Sequence, residues 1–308
     1  MKNPLLLIRS KTVRLFVFFL GLMGVCAAQK VAITFDDLPL NGELPPGVTR
    51  TETARNVVAI LKKRHVPPAY GFVNAKKLEG NPDGAEALKV WASAEPVGNH
   101  TYSHMDLEKN APEAFESDIE ENEPVLELLR AKDDWHWLRY PYLHEGDTVE
   151  KRRAVRAYLK THGYRIAQVT LDWEDYLWNF AYAKCAAKND QKSIAWLRSS
   201  YLSTASEFLD LGRAQAKLIY GRDISYVLLL HLGAFSSTIL PGALALLHKK
   251  GFKLVTLQEA ESDAAYDEDP DAALYDAGTF LDQWMQVKQI KYPEHADKPY
   301  KELEDACQ

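Results

Sequence analysis

Residues 31–37 read Val-Ala-Ile-Thr-Phe-Asp-Asp, a short apolar run that ends in two adjacent carboxylates. An apolar run of this length is typical of a strand buried in a parallel sheet. The sequence therefore predicts a buried strand from Val31 to Phe35, with Asp36 and Asp37 directly after its carboxyl end. A polar residue in that position often only marks where a strand meets water, so the strands that follow decide what the pair means.

Beyond this strand, short apolar runs alternate with longer amphipathic stretches. The sequence predicts further strands at residues 69–73, about 95–98, 135–139, 164–171, 225–230 and 252–256. It predicts helices at residues 50–64, 83–94, 114–130, 148–161 and 240–250, the first opened by a capping box over Thr49–Glu52. Strands that alternate with helices pair in parallel through crossovers, and about seven of them predict a closed or nearly closed α/β barrel.

Two stretches depart from this alternation. Residues 178–220 are helical in composition and inserted between two predicted strands, and the tail from residue 262 has few core-type residues. We therefore expect one domain over residues 29–261, with a helical insertion over about residues 178–220 and a C-terminal extension over residues 262–308.

The first 28 residues have the pattern of an export signal. Basic residues precede an apolar run from Leu15 to Val25, which leads into Cys26-Ala27-Ala28. The run is too short for a comfortable membrane span, and the small residues after it suit cleavage. We expect a signal peptide over residues 1–28, a periplasmic or secreted protein and no membrane span after cleavage. An uncleaved anchor helix and a lipoprotein modified at Cys26 are the alternatives.

The composition is that of a globular protein, with 46% hydrophobic and 26% charged residues. A formal net charge of -6 gives no reason to expect a nucleic acid partner, and nothing in the sequence specifies an oligomeric state. Once the signal is removed, the cysteines are Cys185 and Cys307. In an oxidising compartment they either pair or remain two separate thiols.

Reactive residues stand at the ends of four predicted strands. Asp36 and Asp37 follow the first strand, and Arg139, Asp172 and His231 stand at the ends of three later ones. The carboxyl ends of the strands in a parallel α/β barrel converge on one face, where active sites are built. We therefore predict that these side chains share one site.

Residues 100–104 read His-Thr-Tyr-Ser-His. On a helical turn, residues four apart lie on one face with Cβ atoms about 5–6 Å apart, so His100 and His104 could share a metal ion. One aspartate would complete a three-ligand set that leaves positions open for water and substrate. The same set occurs in non-haem Fe(II) oxygenases, whose usual scaffold is an antiparallel jelly roll, so an oxygenase is an alternative.

Taken together, the motifs resemble those of the polysaccharide deacetylases, the NodB-homology family that is also called carbohydrate esterase family 4. Five segments match the motifs of that family in its order, and they are Thr34–Asp37, His100–His104, Arg139–Tyr142, Asp172–Tyr176 and Leu229–His231. The resemblance implies a distorted (β/α)7 barrel. It also implies a hydrolase that removes acetyl groups from an extracellular or cell-wall carbohydrate, and N-acetyl groups are the main expectation.

The resemblance implies a metal centre. Asp37, His100 and His104 would hold one divalent ion, with zinc expected and cobalt, nickel, manganese and iron open. Such an ion lowers the pKa of bound water and polarises a carbonyl group, which an unreactive amide requires.

The resemblance also implies the acid–base roles. Asp36 would be the general base, held ionised and oriented by Arg139. His231 would be the general acid with Asp175 as its partner, because an amine leaving group needs a proton. The backbone N–H of Tyr142 would help to stabilise the oxyanion.

Two positions depart from the family pattern. The first motif continues with Leu38-Pro39 instead of Gly-Pro, and Tyr176 stands where the family usually has tryptophan. Both positions border the groove in that family, so the resemblance does not specify the substrate. The candidates are chitin-type oligosaccharide, peptidoglycan and acetylxylan, and the acetyl group removed could also be an O-acetyl group. A non-catalytic exported carbohydrate-binding protein on the same scaffold is a further alternative.

Overall fold

The computed structural model describes residues 29–130 and 134–308. The predicted signal peptide, residues 1–28, lies outside the described residues. Within the described ranges, no helix combines the length and the apolar character that crossing a membrane requires.

The centre of the fold is a sheet of eight strands, and every strand pairing among the described residues is parallel. The strands are β1 (Gln29–Asn41), β2 (Gly71–Val73), β3 (Val97–Asn99), β4 (Trp137–Leu138), β5 (Arg165–Ile166), β6 (Leu171–Asp172), β7 (Tyr226–Gly233) and β8 (Phe252–Val255). Their order is β5-β4-β3-β2-β1-β7-β6, and β8 pairs with β1. This parallel arrangement differs from the antiparallel scaffold that the oxygenase alternative requires.

Ten α-helices, counted over the described residues, connect and cover the strands. They are α1 (Arg50–Lys63), α2 (Pro82–Ala92), α3 (Pro112–Arg130), α4 (Val149–Thr161), α5 (Asp175–Ala187), α6 (Gln191–Tyr220), α7 (Ser236–Lys249), α8 (Leu257–Ala260), α9 (Phe280–Val287) and α10 (Tyr300–Asp305). The predicted cap of the first helix is confirmed, since the Thr49 side chain accepts the backbone N–H of Glu52. The predicted alternation of strands and helices is also confirmed.

Strand β1 lies at the centre of the sheet, where it pairs with three other strands. β7 pairs with residues 31–36 on one edge, while β8 pairs with residues 29–32 and β2 with residues 35–38 on the other. Residues 31–40 of β1 are all buried. Since both faces of the strand are covered, side chains that point to either face are apolar, which explains the uninterrupted apolar run at its start.

The first strand runs further than the sequence predicted. Asp36 and Asp37 do not follow β1 but lie inside it, and β7 likewise continues past His231 to Gly233. Regular pairing between the two strands stops at Asp36 and resumes at Asn41, where the ladder is irregular. An irregular ladder of this kind re-aims the side chains that it carries, which a hydropathy pattern does not reveal.

Residues 164–171 were predicted as one strand and form two short ones. The Ala167 N–H donates to the Leu138 carbonyl at 2.8 Å, whereas the Thr170 N–H donates to the Val227 carbonyl at 3.0 Å. The chain therefore leaves β4 and joins β7 within a few residues, and a regular strand cannot change partners in this way. β5 and β6 become the two ends of the strand order, and the bend between them completes the distorted barrel.

The C-terminal extension contributes to the core, contrary to the prediction that it has few core-type residues. Thr279 and Asp282 form a capping box that starts α9, and this helix buries Phe280, Leu281 and Met285. Near the end of the chain, Cys307 forms a disulfide with Cys185 of α5. The extension is thus tied to α5, within the stretch where the sequence predicted a helical insertion.

Candidate active site

The predicted site residues meet around one cleft at the carboxyl ends of the strands. The cleft is lined by Asp36, Asp37, His100, His104, Tyr142 and His231. Arg139 and Asp175 lie behind it, each in contact with one of these residues. All eight side chains therefore belong to one assembly, although they come from five separate segments of the sequence.

The two histidines of the second motif lie on an irregular loop after β3, so the prediction of a helical turn is wrong. Thr101 and His104 have φ values of 58° and 61°, which are left-handed and incompatible with an α-helix. The Asn74 side chain donates to the carbonyls of His100 and Thr101, which satisfies groups that a helix would have paired internally. The two imidazole rings still lie 4.8 Å apart between centroids.

These histidines and Asp37 form a compact set of possible ligands. One ligand atom from each of the three residues lies within 4.8 Å of the others, and His104 Nε2 is 3.4 Å from Asp37 Oδ1. His100 Nδ1 lies 2.8 Å from the carbonyl oxygen of Arg139. Because a carbonyl only accepts, Nδ1 carries the proton and Nε2 keeps a free lone pair.

The charge states of this set also suit a divalent ion. Burial lowers the pKa of His100 to about 3, and burial together with the neighbouring His100 lowers the pKa of His104 to about 3. Both imidazoles are therefore neutral at pH 7. Metal binding needs neutral imidazole and ionised carboxylate, so the three residues fit a divalent metal ion.

Asp37 is held ionised by groups that the sequence motifs did not include. Lys77 Nζ lies 2.8 Å from Oδ1, and Asn41 Nδ2 donates to Oδ2 at 2.8 Å. Burial opposes ionisation, but the positive charge of Lys77 outweighs it and lowers the pKa of Asp37. Lys77 stands just beyond β2, so a survey of charged residues after every strand would have found it.

Asp36 is buried against Arg139. The Arg139 Nη1 donates to both carboxylate oxygens, at 2.9 and 3.0 Å, while Nε donates to the Ala167 carbonyl and Nη2 to the Thr34 hydroxyl. Burial raises the pKa of Asp36 above its ordinary value, and the Arg139 charge opposes that rise. Arg139 favours the ionised form of Asp36, as predicted, but burial opposes it more strongly. The pKa of Asp36 is raised overall, so Asp36 is a stronger base than an exposed aspartate.

His231 is fixed by Asp175 at the start of α5. Its Nδ1 lies 2.7 Å from Asp175 Oδ1, and its backbone N–H donates to Oδ2 at 2.9 Å. Burial opposes a charge on the imidazole, but the charge and hydrogen bond of Asp175 raise the pKa of His231 to about 9. His231 is therefore protonated at neutral pH and has a proton to donate.

Several residues of the cleft have a backbone conformation that is unfavourable for residues other than glycine. Asp37, His104 and Tyr142 have φ values of 69°, 61° and 60°. Such conformations cost on the order of 1–3 kcal/mol each and concentrate at functional sites, where the surrounding structure imposes them. The Tyr142 ring lies 4.5 Å from the His104 ring and remains 56% exposed.

One wall of the cleft comes from segments outside the five motifs. Tyr275 and Asp276 of the C-terminal extension line it, as does Phe180 of α5. The Tyr176 ring, at the position that departs from the family pattern, lies 5.5 Å from the His231 ring. No sequence pattern marks Tyr275 or Asp276, because their position depends on how the extension folds back.

The sequence comparisons agree with this geometry. The family model described as polysaccharide deacetylase matches residues 26–167, which include the first three motifs. A curated chitin deacetylase from Arthroderma benhamiae is 27% identical over 147 residues, which are 47% of this chain and 35% of that protein. The match therefore spans roughly a third of the length of the curated relative.

Solved structures show the same fold. The chitin deacetylase from the fungal pathogen Colletotrichum lindemuthianum is 23% identical with a TM-score of 0.51, covering 77% of this chain and 89% of that chain. A carbohydrate esterase family 4 pseudoenzyme from Bacillus anthracis is 15% identical with a TM-score of 0.52, covering 76% of this chain and 66% of that chain. At these identities the matches establish the shared fold alone.

Fold and site together define a parallel α/β barrel protein with two histidines and one aspartate gathered at one cleft. Over residues 26–167 the chain is similar to the polysaccharide deacetylase family, as its motifs indicated. The predicted distorted (β/α)7 barrel is confirmed.

Proposed function

We propose that this protein removes acetyl groups, primarily N-acetyl groups, from an extracellular or cell-wall carbohydrate in a metal-dependent hydrolysis. The observation that carries the proposal is the meeting of Asp36, His231 and the Asp37–His100–His104 set around one cleft. A non-catalytic carbohydrate-binding protein on the same scaffold would not need a base, an acid and a complete ligand set in one cleft.

The base and the acid have complementary charge states. Asp36 is a buried carboxylate with a raised pKa, so it is suited to accept the proton of an attacking water. His231 is an imidazolium with a pKa of about 9, so it is suited to protonate the departing nitrogen. Arg139 orients Asp36 and Asp175 orients His231, which keeps both groups aimed into the cleft.

The ligand set and Tyr142 complete the proposed mechanism. Asp37, His100 and His104 would hold one divalent ion, zinc in the first place, which lowers the pKa of water and polarises the acetyl carbonyl when bound. The backbone N–H of Tyr142 would donate to the developing oxyanion. The unfavourable φ of Tyr142 is compatible with this role. A donor that is already in place before the reaction requires no reorganisation of the site during it.

We also propose export and a particular division of the chain. A disulfide between Cys185 and Cys307 supports an oxidising compartment, and this agrees with an N-terminal signal over residues 1–28. The deacetylase domain would occupy residues 29–261, with an insertion over about residues 178–220 and an extension over residues 262–308.

The decisive experiment is acetate release from chitin oligosaccharides, peptidoglycan fragments and acetylated xylan. Wild type should release acetate from at least one of them, and Asp36→Asn should reduce that release. Asp297→Asn changes the same chemical group at an exposed position and should retain full activity. Glycan binding without acetate release by the metal-loaded wild type would instead support the carbohydrate-binding alternative.

A further inference from the structure

A second group of possible ligands lies beside the cleft and outside the five motifs. One ligand atom from each of Asp106, Glu108 and His144 lies within 4.8 Å of the others. Asp106 and Glu108 are each 7% exposed, and the His144 side chain is 11% exposed. Two carboxylates and one imidazole are thus gathered in a place where most of the surrounding water is excluded.

The distances between these atoms can be compared with those between the ligands of one metal ion. His144 Nδ1 lies 3.4 Å from Glu108 Oε2, and it is hydrogen-bonded to Asp106 Oδ1 at 2.9 Å. Ligand atoms about 2.0–2.2 Å from a tetrahedral metal stand roughly 3.3–3.6 Å from one another. Only small side-chain movements would therefore be needed to surround an ion.

Glu108 supplies an independent reason to expect a ligand. Its Oε1 accepts the backbone N–H of Asp276 at 2.9 Å, which holds the carboxylate in place. Its Oε2 is buried, faces His144 and has no hydrogen-bond partner among the described residues. A buried carboxylate oxygen needs a partner, and the candidates are a cation and a proton.

The surroundings of His144 favour a cation. His144 Nε2 lies 3.5 Å from Asp276 Oδ1, and a carboxylate on the far nitrogen of a metal-binding histidine is a common arrangement. Lys109 Nζ lies 2.8 Å from Asp106 Oδ2, the oxygen that does not face His144. The Lys109 side chain is 69% exposed, so its charge is largely screened by solvent and leaves Oδ1 available.

We propose that Asp106, Glu108 and His144 form a second divalent-cation site, separate from the set of Asp37, His100 and His104. The donor set suits a transition ion such as Zn²⁺ or Mn²⁺. The ion would link the loop that follows His104 to the loop that follows Tyr142. Through Glu108 it would also fix Asp276 of the C-terminal extension, so its role is to hold the wall of the cleft in place.

The test is the number of zinc ions per chain, measured by elemental analysis after chelation and dialysis against Zn²⁺. The full chain should retain two ions, His104→Ala and Glu108→Gln one each, and the double variant none. Glu108→Gln keeps the size of the side chain and the Oε1 acceptor, so it should fold. Glu113→Gln, an exposed position on α3, is the matched control and should retain two ions.

Two further measurements identify where the second ion binds. In His104→Ala, added Zn²⁺ should raise the thermal midpoint by about 2 °C or more, and the added Glu108→Gln change should abolish this shift. Anomalous scattering at the zinc edge should show an ion bonded to Glu108 Oε2 and His144 Nδ1. No zinc in His104→Ala, or as many zinc ions in Glu108→Gln as in wild type, would overturn the proposal and leave a proton as the partner of Glu108.

Discussion

Asp36 and His231 are direct partners across the ladder between β1 and β7. Neighbouring parallel strands lie about 4.7–4.9 Å apart, and paired residues direct their side chains to the same face of the sheet. Both side chains accordingly line one cleft. The proposed base and acid are therefore held side by side by the backbone.

Asp175 should control the pH range of the reaction through His231. The raised pKa of about 9 means that His231 stays protonated from neutral pH up to about pH 9 and loses its proton above it. Asp175→Asn removes the charge that favours the protonated form, so the alkaline limb of the kcat profile should move to lower pH by about 1–3 units. A lower kcat with an unmoved alkaline limb would show that Asp175 acts only on structure.

His231 should be separable from the metal ligands. If His231 is the general acid, His231→Ala should retain the metal content of wild type while kcat falls by roughly 10²–10⁴-fold. The measurement combines elemental analysis with acetate release. His248→Ala, an exposed position on α7, is the control and should change neither quantity. Metal loss from His231→Ala would place His231 among the ligands.

The parts of the fold that the sequence predicts correctly are those that local pattern determines. Apolar runs located β1, β7 and β8, and the cap at Thr49 located the start of α1. The end of β1 was misplaced because pairing with β7 continues irregularly past Asp36, and this depends on residues about 190 positions away. Residues 164–171 were misread because they change partner strands, a property that has no local signature.

The structure brings the predicted site residues together, but it adds surroundings that the sequence did not predict. His100 and His104 were expected to meet on a helix and meet instead on a loop that Asn74 supports. Lys77 approaches Asp37 from the turn that follows β2, and Asp276 comes from the extension. These contacts follow from how distant segments pack, so spacing along the chain could not reveal them.

The disulfide between Cys185 and Cys307 should stabilise the fold by restricting the unfolded chain. Its cysteines are 122 positions apart. Closing a loop of that length contributes about 4–5 kcal/mol in the chain-entropy description. Cys307→Ser should therefore lower the urea concentration at the midpoint of unfolding. Wild type with its disulfide reduced should unfold at about the same midpoint as this variant. Two free thiols in unreduced exported protein would contradict the pairing.

The two adjacent aspartates should differ in function although they have the same side chain. Asp36 Oδ1 and Oδ2 both face the Arg139 guanidinium, whereas Asp37 Oδ1 lies 3.4 Å from His104 Nε2. The irregular ladder, together with a φ of 69° at Asp37, allows neighbouring residues to point to different partners. Asp36 therefore suits the base, and Asp37 suits the ligand.

Replacing each aspartate by asparagine separates these roles because the size is kept and the charge is lost. Asp36→Asn should bind zinc as tightly as wild type while kcat falls by roughly 10²–10⁴-fold, since the proton acceptor is gone. Asp37→Asn should weaken zinc binding by about tenfold or more, and excess zinc should restore part of its activity. Zinc titration and acetate release on both variants make the comparison, with Asp297→Asn as the control. Rescue of Asp36→Asn by zinc would reverse the two roles, because only a ligand defect responds to the concentration of the ion.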